Sequence, residues 1–269
     1  MMKLFKRVGI IGCGNMGSAI LAGLVRKKTV PASQITVYDK ILAKARQVAR
    51  QWKVREGKTN GDVVRRSDIV LLAVKPQDLF DAAREFREAF TSRHLLITIL
   101  AGTPVVKVRR AVGAKPDILR AMPNLGAQVG EAMTALSGNR ESSLKRAERI
   151  FSSCGRTVRL PEKYFDLVTA ISGSGPAYFF LLMELLSKEA KAHGLSEEHA
   201  RELAVQTALG AARLARNSDL SPAELREKVT SKGGTTAAAL EVFEKEGLPE
   251  IVSKGLQAAL QRGRELSRI

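Results

Sequence analysis

Apolar positions along this chain fall into short runs separated by turn residues, and the runs change character past its midpoint. Val8, Ile10 and Ile11 open the pattern. Gly12-Cys13-Gly14-Asn15-Met16-Gly17 interrupts it, and Ala19, Ile20, Gly23 and Leu24 then recur at helical spacing. This order predicts a strand, a tight glycine turn and a helix. Ile35-Thr36-Val37-Tyr38 predicts a second strand. Residues 69–74 (IVLLAV) form an unbroken apolar run, as expected of a parallel strand covered on both faces. Residues 95–99 repeat that pattern, 118–121 give a shorter version, and 133–136 and 157–160 are expected to close the sheet. The regular alternation predicts an α/β fold, with a doubly wound, mostly parallel sheet over residues 1–160.

From Tyr164 onward the strand-like runs stop, which predicts an all-α domain over residues 161–269. Residues 177–186 include Phe179, Phe180, Leu181, Leu182, Met183, Leu185 and Leu186, apolar on nearly every face. Such a helix must be buried all round, by its own domain or by a partner subunit. Gly194 is a predicted helix C-cap. Ser196 is expected to open a helix over 197–216, and Ser221-Pro222-Ala223-Glu224 has the form of a capping box with proline at the first helical position. Residues 249–268 predict a final helix, basic and amphipathic.

The glycine turn carries the first chemistry. Its first glycine permits the turn, the second lets a pyrophosphate approach the backbone, and the third lets helix pack on strand. The helix then directs unpaired N–H groups and its positive dipole end at the phosphates. Gly12, Cys13, Gly14, Asn15, Met16 and Gly17 are therefore expected to hold a dinucleotide. Asp39 stands 22 positions after Gly17, where an acid would take the ribose 2′-OH of NAD. Lys40, with Lys44 and Arg46 beyond it, would instead suit the 2′-phosphate of NADP. Local charge favours NADPH, with NADH as the alternative. Val74 and Lys75, past the carboxyl end of their strand, should face the cofactor crevice.

Composition narrows the partners. Aromatic residues make up only 5% of the chain, which argues against single-stranded nucleic acid held by stacked bases. The net charge of +17 is spread among 27 acids with no basic run of five, so it predicts a basic surface attracting anionic small molecules and no specific nucleic-acid binding. Cys13 and Cys154 form neither a disulfide framework nor, with His94, His193 and His199, a metal-ligand spacing, so no metal and a reducing cytoplasm are expected. Lys3, Lys6 and Arg7 before an apolar run imitate a secretory signal, but Asn15 and glycines 9, 12, 14 and 17 break its core. The segment is expected to belong to the mature fold. No other uncharged apolar stretch is long enough to span a bilayer, so no membrane partner is expected.

Two later stretches look chemical. Ser172-Gly173-Ser174-Gly175-Pro176 places small residues before the apolar helix, allowing close approach of backbone or ligand. Thr230-Ser231-Lys232-Gly233-Gly234-Thr235-Thr236 is a glycine turn ahead of a helix over 237–245, an anion nest small enough for a carboxylate. Two glycine-turn anion sites, one sized for a pyrophosphate, predict a redox enzyme for a small acidic substrate.

With these motifs in view, the chain resembles the pyrroline-5-carboxylate reductase family. The resemblance runs nearly end to end: residues 8–17, Asn60, Val74-Lys75-Pro76-Gln77, Ala101-Gly102, residues 120–124, 168–178 (VTAISGSGPAY) and 229–240 (VTSKGGTTAAAL). The last two are the specific ones. The resemblance implies a Rossmann domain followed by a helical dimerisation domain that interlocks with a second subunit, a homodimer that can join a ring of dimers. It also implies transfer of hydride from NAD(P)H to the C=N carbon of 1-pyrroline-5-carboxylate, a small anionic cyclic imine, giving proline. By position, backbone groups around Ser231, Gly233, Gly234 and Thr235 would hold the substrate carboxylate, Thr236 would serve catalysis at the ring nitrogen, and Glu162 would line the substrate site. The glycine turn, Asn60, Val74, Lys75 and Ala101 would contact the cofactor.

Three departures stand out: Lys232 in place of the proline usual in TSPGGTT, Leu125-Gly126 in place of Thr-Pro, and Ala132 where glycine is common. They keep two alternatives in view, a reductase for another cyclic imino acid and a dinucleotide sensor without catalysis.

Overall fold

The computed structural model describes residues 7–268, so Lys3 and Lys6 lie outside the described residues. The chain divides into two units. One runs to Ser174 and takes the chain back from Ala259; the other is Gly175–Ala258.

The first unit is built on eight strands: β1 Val8–Ile11, β2 Ile35–Tyr38, β3 Arg55–Glu56, β4 Ile69–Leu72, β5 Leu95–Thr98, β6 Asp117–Met122, β7 Ala132–Ser137 and β8 Gly155–Arg159. They form one sheet in the order β3-β2-β1-β4-β5-β6-β7-β8. Every neighbouring pair is parallel except β6 and β7, where Ala121 faces Leu136 in an antiparallel register. The order reverses between β1 and β4. That is the switch point at which open α/β sheets take their ligands.

Helices α1 Asn15–Arg26, α2 Leu42–Trp52, α3 Asn60–Arg65, α4 Leu79–Phe86, α5 Val105–Val112 and α6 Glu141–Phe151 cover the sheet. Successive strand residues alternate between two cores. Val8, Ile10, Ile69, Leu71, Leu95 and Ile97 pack with Ile20, Leu24, Val48 and Phe151, the buried faces of α1, α2 and α6. Ile11, Val70, Leu72 and Leu96 pack with Val63, Phe86 and Val108 from α3, α4 and α5. The expected doubly wound α/β architecture is therefore present. The predicted run over 69–74 stops as a strand at Leu72: the Ala73 amide still bonds Ile11 O at 2.8 Å, and the chain then turns off the sheet. The two-residue β3 carries no apolar signal, since both its side chains are exposed and charged.

His94 is buried just before β5, with its Nδ1 taking the Thr91 amide at 2.9 Å. Burial pushes its pKa below the ordinary 6.5. The native state then binds fewer protons than the unfolded chain, so the stability this supplies above pH 6.5 is lost as pH falls through the folded value. We expect the melting temperature of His94→Phe to fall less than that of the parent between about pH 7 and about pH 5. Parallel melting curves at both pH values would remove His94 from the account.

After β8, a short helix α7 Phe165–Val168 passes through a π-type turn at Thr169–Gly173 into α8 Gly175–Ala192. This region departs from the sequence expectation about membrane-length segments. The continuous helical run Glu162–Ala192 is, by length and composition, able to cross a bilayer, and an 18-residue window within it has a mean hydropathy of 1.3. Seryl, threonyl and glycyl positions hid its continuity. Its first part packs as ordinary protein interior, however: Phe165 and Ala170 are buried, and Ser172 is hydrogen-bonded to Asn124.

The second unit is all-helical: α8, α9 Glu197–Asn217, α10 Pro222–Lys228, α11 Thr235–Lys245 and α12 Leu248–Arg268, whose final turns return to the first unit. Ser196 Oγ caps α9 by accepting the His199 amide, and the Ser221–Glu224 capping box on α10 has both of its bonds. α8 and α9 pack side by side. The apolar face of α8 is nevertheless exposed in the single chain, with Phe179 64% and Leu182 52% accessible. Its own unit does not bury it.

Candidate active site

The first unit carries a crevice of about 410 Å³ at the switch point of the sheet. Gly12 and Gly14 from the turn after β1, Asp39 and Lys40 after β2, and Ala73, Val74 and Lys75 after β4 line it, with Lys44, Asn60, Asp78, Asp81 and Glu85 around them. Backbone sterics shape the turn. Gly12 has φ +103°, and a Cβ there would stand 2.5 Å from the Ala73 carbonyl oxygen. A Cβ on Gly17 would lie 2.0 Å from Gly12 O, so α1 can pack on β1 only without one. Around Gly14, by contrast, none of the described residues comes within 4 Å of the position a Cβ would take. The middle glycine thus faces open space at the uncapped start of α1, where first-turn amides have no helical acceptor. Those features fit a dinucleotide pyrophosphate.

Seven of the residues expected to contact the cofactor line this crevice: Gly12, Gly14, Asp39, Lys40, Asn60, Val74 and Lys75. Cys13, Asn15, Met16, Gly17 and Ala101 do not. Cys13 is buried, and burial, with the nearby Asp39 charge, pushes its thiol up to about 12, so it is no thiolate at neutral pH. Both Asp39 oxygens are engaged, Oδ2 by the Cys13 amide at 2.7 Å and Oδ1 by the Ile41 amide at 2.8 Å. Asp39 thereby fastens the glycine turn to the end of β2. Asn60 opens α3, where Thr59 Oγ1 caps the Asp62 amide, and its Nδ2 donates to Glu85 Oε2 at 2.9 Å.

A second polar node lies past the ends of β5 and β6. Glu162 Oε1 accepts the Val105 amide, the first of α5, at 2.7 Å and Arg120 Nη1 at 3.1 Å. Arg120 is 3% exposed, with its guanidinium 4.8 Å from the centre of the Phe165 ring. Burial lowers its pKa and the Glu162 carboxylate opposes that shift. Nearby, Asn124 Oδ1 accepts the Gly126 and Met133 amides while its Nδ2 donates to Ser172 Oγ at 3.2 Å. The Met122-Pro123-Asn124 and Ser172-Gly173-Ser174 stretches are thereby tied together. A methyl on Gly173 would come within 2.8 Å of Met122 Cε. Apart from their place in the motif, nothing in the sequence marked Arg120 and Asn124; an arginine inside an apolar strand was the available signal.

The second unit holds the other glycine turn. Gly233 has φ +72°, and Gly234 N-caps α11, its amide bonded to Ser231 O at 3.0 Å. The helix starts at Thr235, two residues before the sequence suggests, so both threonines lie in its first turn. No side chain caps it. Its first amides therefore lack acceptors within the helix and stand beside the Thr236 hydroxyl. Ser231, Lys232 and Thr235 are exposed, and Thr236 is half-buried.

Comparison with known proteins agrees with both units. Residues 162–266 match the family described as pyrroline-5-carboxylate reductase dimerisation, and residues 7–102 match that described as NADP oxidoreductase coenzyme F420-dependent. The pyrroline-5-carboxylate reductase of Pseudomonas aeruginosa is 37% identical, over 97% of both chains. That of Synechocystis is 39% identical, over 97% of this chain and 98% of its own. Among solved structures, a pyrroline-5-carboxylate reductase from Coxiella burnetii superposes with a TM-score of 0.91 at 34% identity, covering 98% of this chain and 99% of that one. The Plasmodium falciparum pyrroline carboxylate reductase with NADP bound gives 0.86 at 29% identity, covering 97% and 98%. With full-length identity well above what a shared fold alone would need, the chain belongs to the pyrroline-5-carboxylate reductase family.

Proposed function

We propose that this chain reduces 1-pyrroline-5-carboxylate to L-proline with NAD(P)H, as a homodimer able to join a ring of dimers. Residues 1–160 serve as its dinucleotide-binding domain and 161–269 as its dimerisation and substrate-binding domain. The observation that carries this reading is the uncapped start of α11, with Thr236 in its first turn, in a chain whose other unit holds a dinucleotide crevice.

When bound, the nicotinamide supplies a hydride to the imine carbon. The protein's own task is alignment, for which positioned intramolecular reactions gain roughly 7–11 kcal/mol. The Gly12–Gly17 turn and the start of α1 would hold the pyrophosphate, and Asn60, Val74, Lys75 and Ala101 would contact the cofactor. Ser231, Gly233, Gly234 and Thr235 hold the substrate carboxylate through backbone groups at the positive end of α11. Thr236 orients the ring nitrogen through its hydroxyl. Glu162 contributes by fixing the start of α5 against Arg120. The exposed apolar face of α8 supports burial against a second subunit, which completes the active site. The substrate is a soluble small anion and the enzyme works in the cytoplasm, with no nucleic acid or membrane as partner.

The deciding assay follows NADPH consumption on pyrroline-5-carboxylate and on its six-membered homologue. Pure, folded, cofactor-binding protein that turns over neither imine would sink the proposal, and a preference for the homologue would move it to that substrate. Thr236→Ala is expected to lower kcat about ten- to a hundredfold without changing NADPH affinity, since a neutral hydroxyl orients but is a weak acid. Unchanged kcat would remove Thr236 from the mechanism.

A further inference from the structure

The adenosine side of the dinucleotide crevice is crossed by an ion pair. Lys40 follows β2, Asp78 ends the short turn after β4, and both line the crevice with Lys40 Nζ 2.8 Å from Asp78 Oδ1. Asp78 is the more fixed partner. It closes a 3₁₀ turn at Pro76–Asp78, its amide bonds Lys75 O at 2.9 Å, and its side chain is 25% accessible against 69% for Lys40. The hydrogen bond to Asp78, with the charges of Asp39 and Asp81 behind it, raises the Lys40 pKa above its ordinary value. Asp39, whose oxygens each accept a backbone amide, acts on Lys40 through its charge, while the hydrogen bond from Lys40 goes to Asp78. Lys44, in the first turn of α2, lines the same crevice and has no carboxylate partner among the described residues.

These contacts affect the two nicotinamide cofactors differently. A ribose with only a 2′-hydroxyl makes no demand on Lys40. A 2′-phosphate recruits nearby ammonium groups through charge-assisted hydrogen bonds, and Lys44 is available while Lys40 is held by Asp78. An exposed ion pair of this kind is weak enough to be broken by a phosphate dianion, yet breaking it subtracts from the phosphate's affinity.

We infer that Asp78 is a specificity-determining residue: it competes with the 2′-phosphate of NADPH for Lys40 and thereby limits the preference for NADPH over NADH. This rests on the proposed use of a nicotinamide dinucleotide but not on which imine is reduced.

The test measures the Kd of NADPH and of NADH by fluorescence titration for the full chain, Asp78→Asn, Lys40→Gln and the double variant. In Asp78→Asn the affinity ratio should move toward NADPH by about three- to fivefold. In the Lys40→Gln background the same substitution should change that ratio by less than about twofold, because the competition is over Lys40. An unchanged ratio in Asp78→Asn overturns the inference. An equal rise in both backgrounds overturns it too, because Asp78 would then repel the phosphate without acting through Lys40. A chain that binds neither dinucleotide overturns both this inference and the cofactor reading. Turnover is not the readout, so an inactive but cofactor-binding chain counts against the proposed reaction alone.

Discussion

Gly17→Ala is expected to weaken NADPH binding by at least about a hundredfold, and turnover with it, while the protein stays folded. The new methyl would stand 2.0 Å from Gly12 O and 3.3 Å from Ala73 Cβ. Neither can yield locally, because Gly12 is itself wedged against the Ala73 carbonyl at a φ open mainly to glycine. Helix α1 must therefore shift away from β1, carrying its first-turn amides away from the phosphate position. Overpacking of this sort costs about 1–3 kcal/mol, less than a domain's usual margin. Gly14→Ala is the control, since its methyl meets nothing within 4 Å. It should leave the melting temperature alone and lower NADPH affinity only because a phosphate needs that space. Thermal melts paired with cofactor titration check both variants. Gly17→Ala binding NADPH within about threefold of the parent would remove the turn from the site.

Glu162→Ala is the second large effect, and it falls on stability. One carboxylate oxygen holds both the first amide of α5 and the buried Arg120. Arg120 Nη2 has no hydrogen-bond partner among the described residues, so truncating Glu162 would strip the guanidinium of its hydrogen-bonded counter-charge and leave it the Phe165 ring face and the charge of Asp166. Breaking a fully buried ion pair from one side costs about 3–5 kcal/mol. The Glu162 side chain is 34% accessible, so water reaches the vacated space and the expected loss is about 2–3 kcal/mol. For a unit of this size that is a drop of roughly 4–12 °C in melting temperature. Glu162→Gln keeps an acceptor oxygen and should lose about half as much. If the alanine variant melted with the parent, the Arg120 node would carry no structural weight.

The two predictions mirror what the sequence did and did not disclose. The glycine turn was legible because its constraints are local: each glycine answers to a neighbour a few residues away or to the adjoining strand. The parallel strands were legible because burial on both faces forces continuous apolar runs such as Val70-Leu71-Leu72. The Arg120–Glu162 node was not, because its members are 42 residues apart and only the assembled sheet joins them. The same holds for Lys40 and Asp78, each of which reads alone as a solvated charge. Edge strand β3 escaped notice because two exposed charged residues leave no periodicity to find. In the helical unit the caps at Ser196 and Ser221 were plain, but the start of α11 was misjudged because glycine-threonine stretches suit loop and first turn equally. The length of the Glu162–Ala192 run was also underestimated, because its serines and glycines look like breaks and behave as a bend.

The first unit takes the chain back at Ala259, and this governs the order of events at the ribosome. The sheet is complete by Arg159, but its packing is not. The loop at Gly102, held at φ +59°, rests within 2.9 Å of Leu266 Cβ, and Ser267 Oγ donates to Asp166 Oδ1 at 2.9 Å. Those partners are translated after the helical unit Gly175–Ala258. The first unit therefore begins before the helical unit and is completed after it, and the helical unit is spun out as an insertion fastened at both ends. A single proteolytic nick inside that insertion would leave each fragment covalently joined to part of the first unit, and two cuts would be needed to release the piece between them.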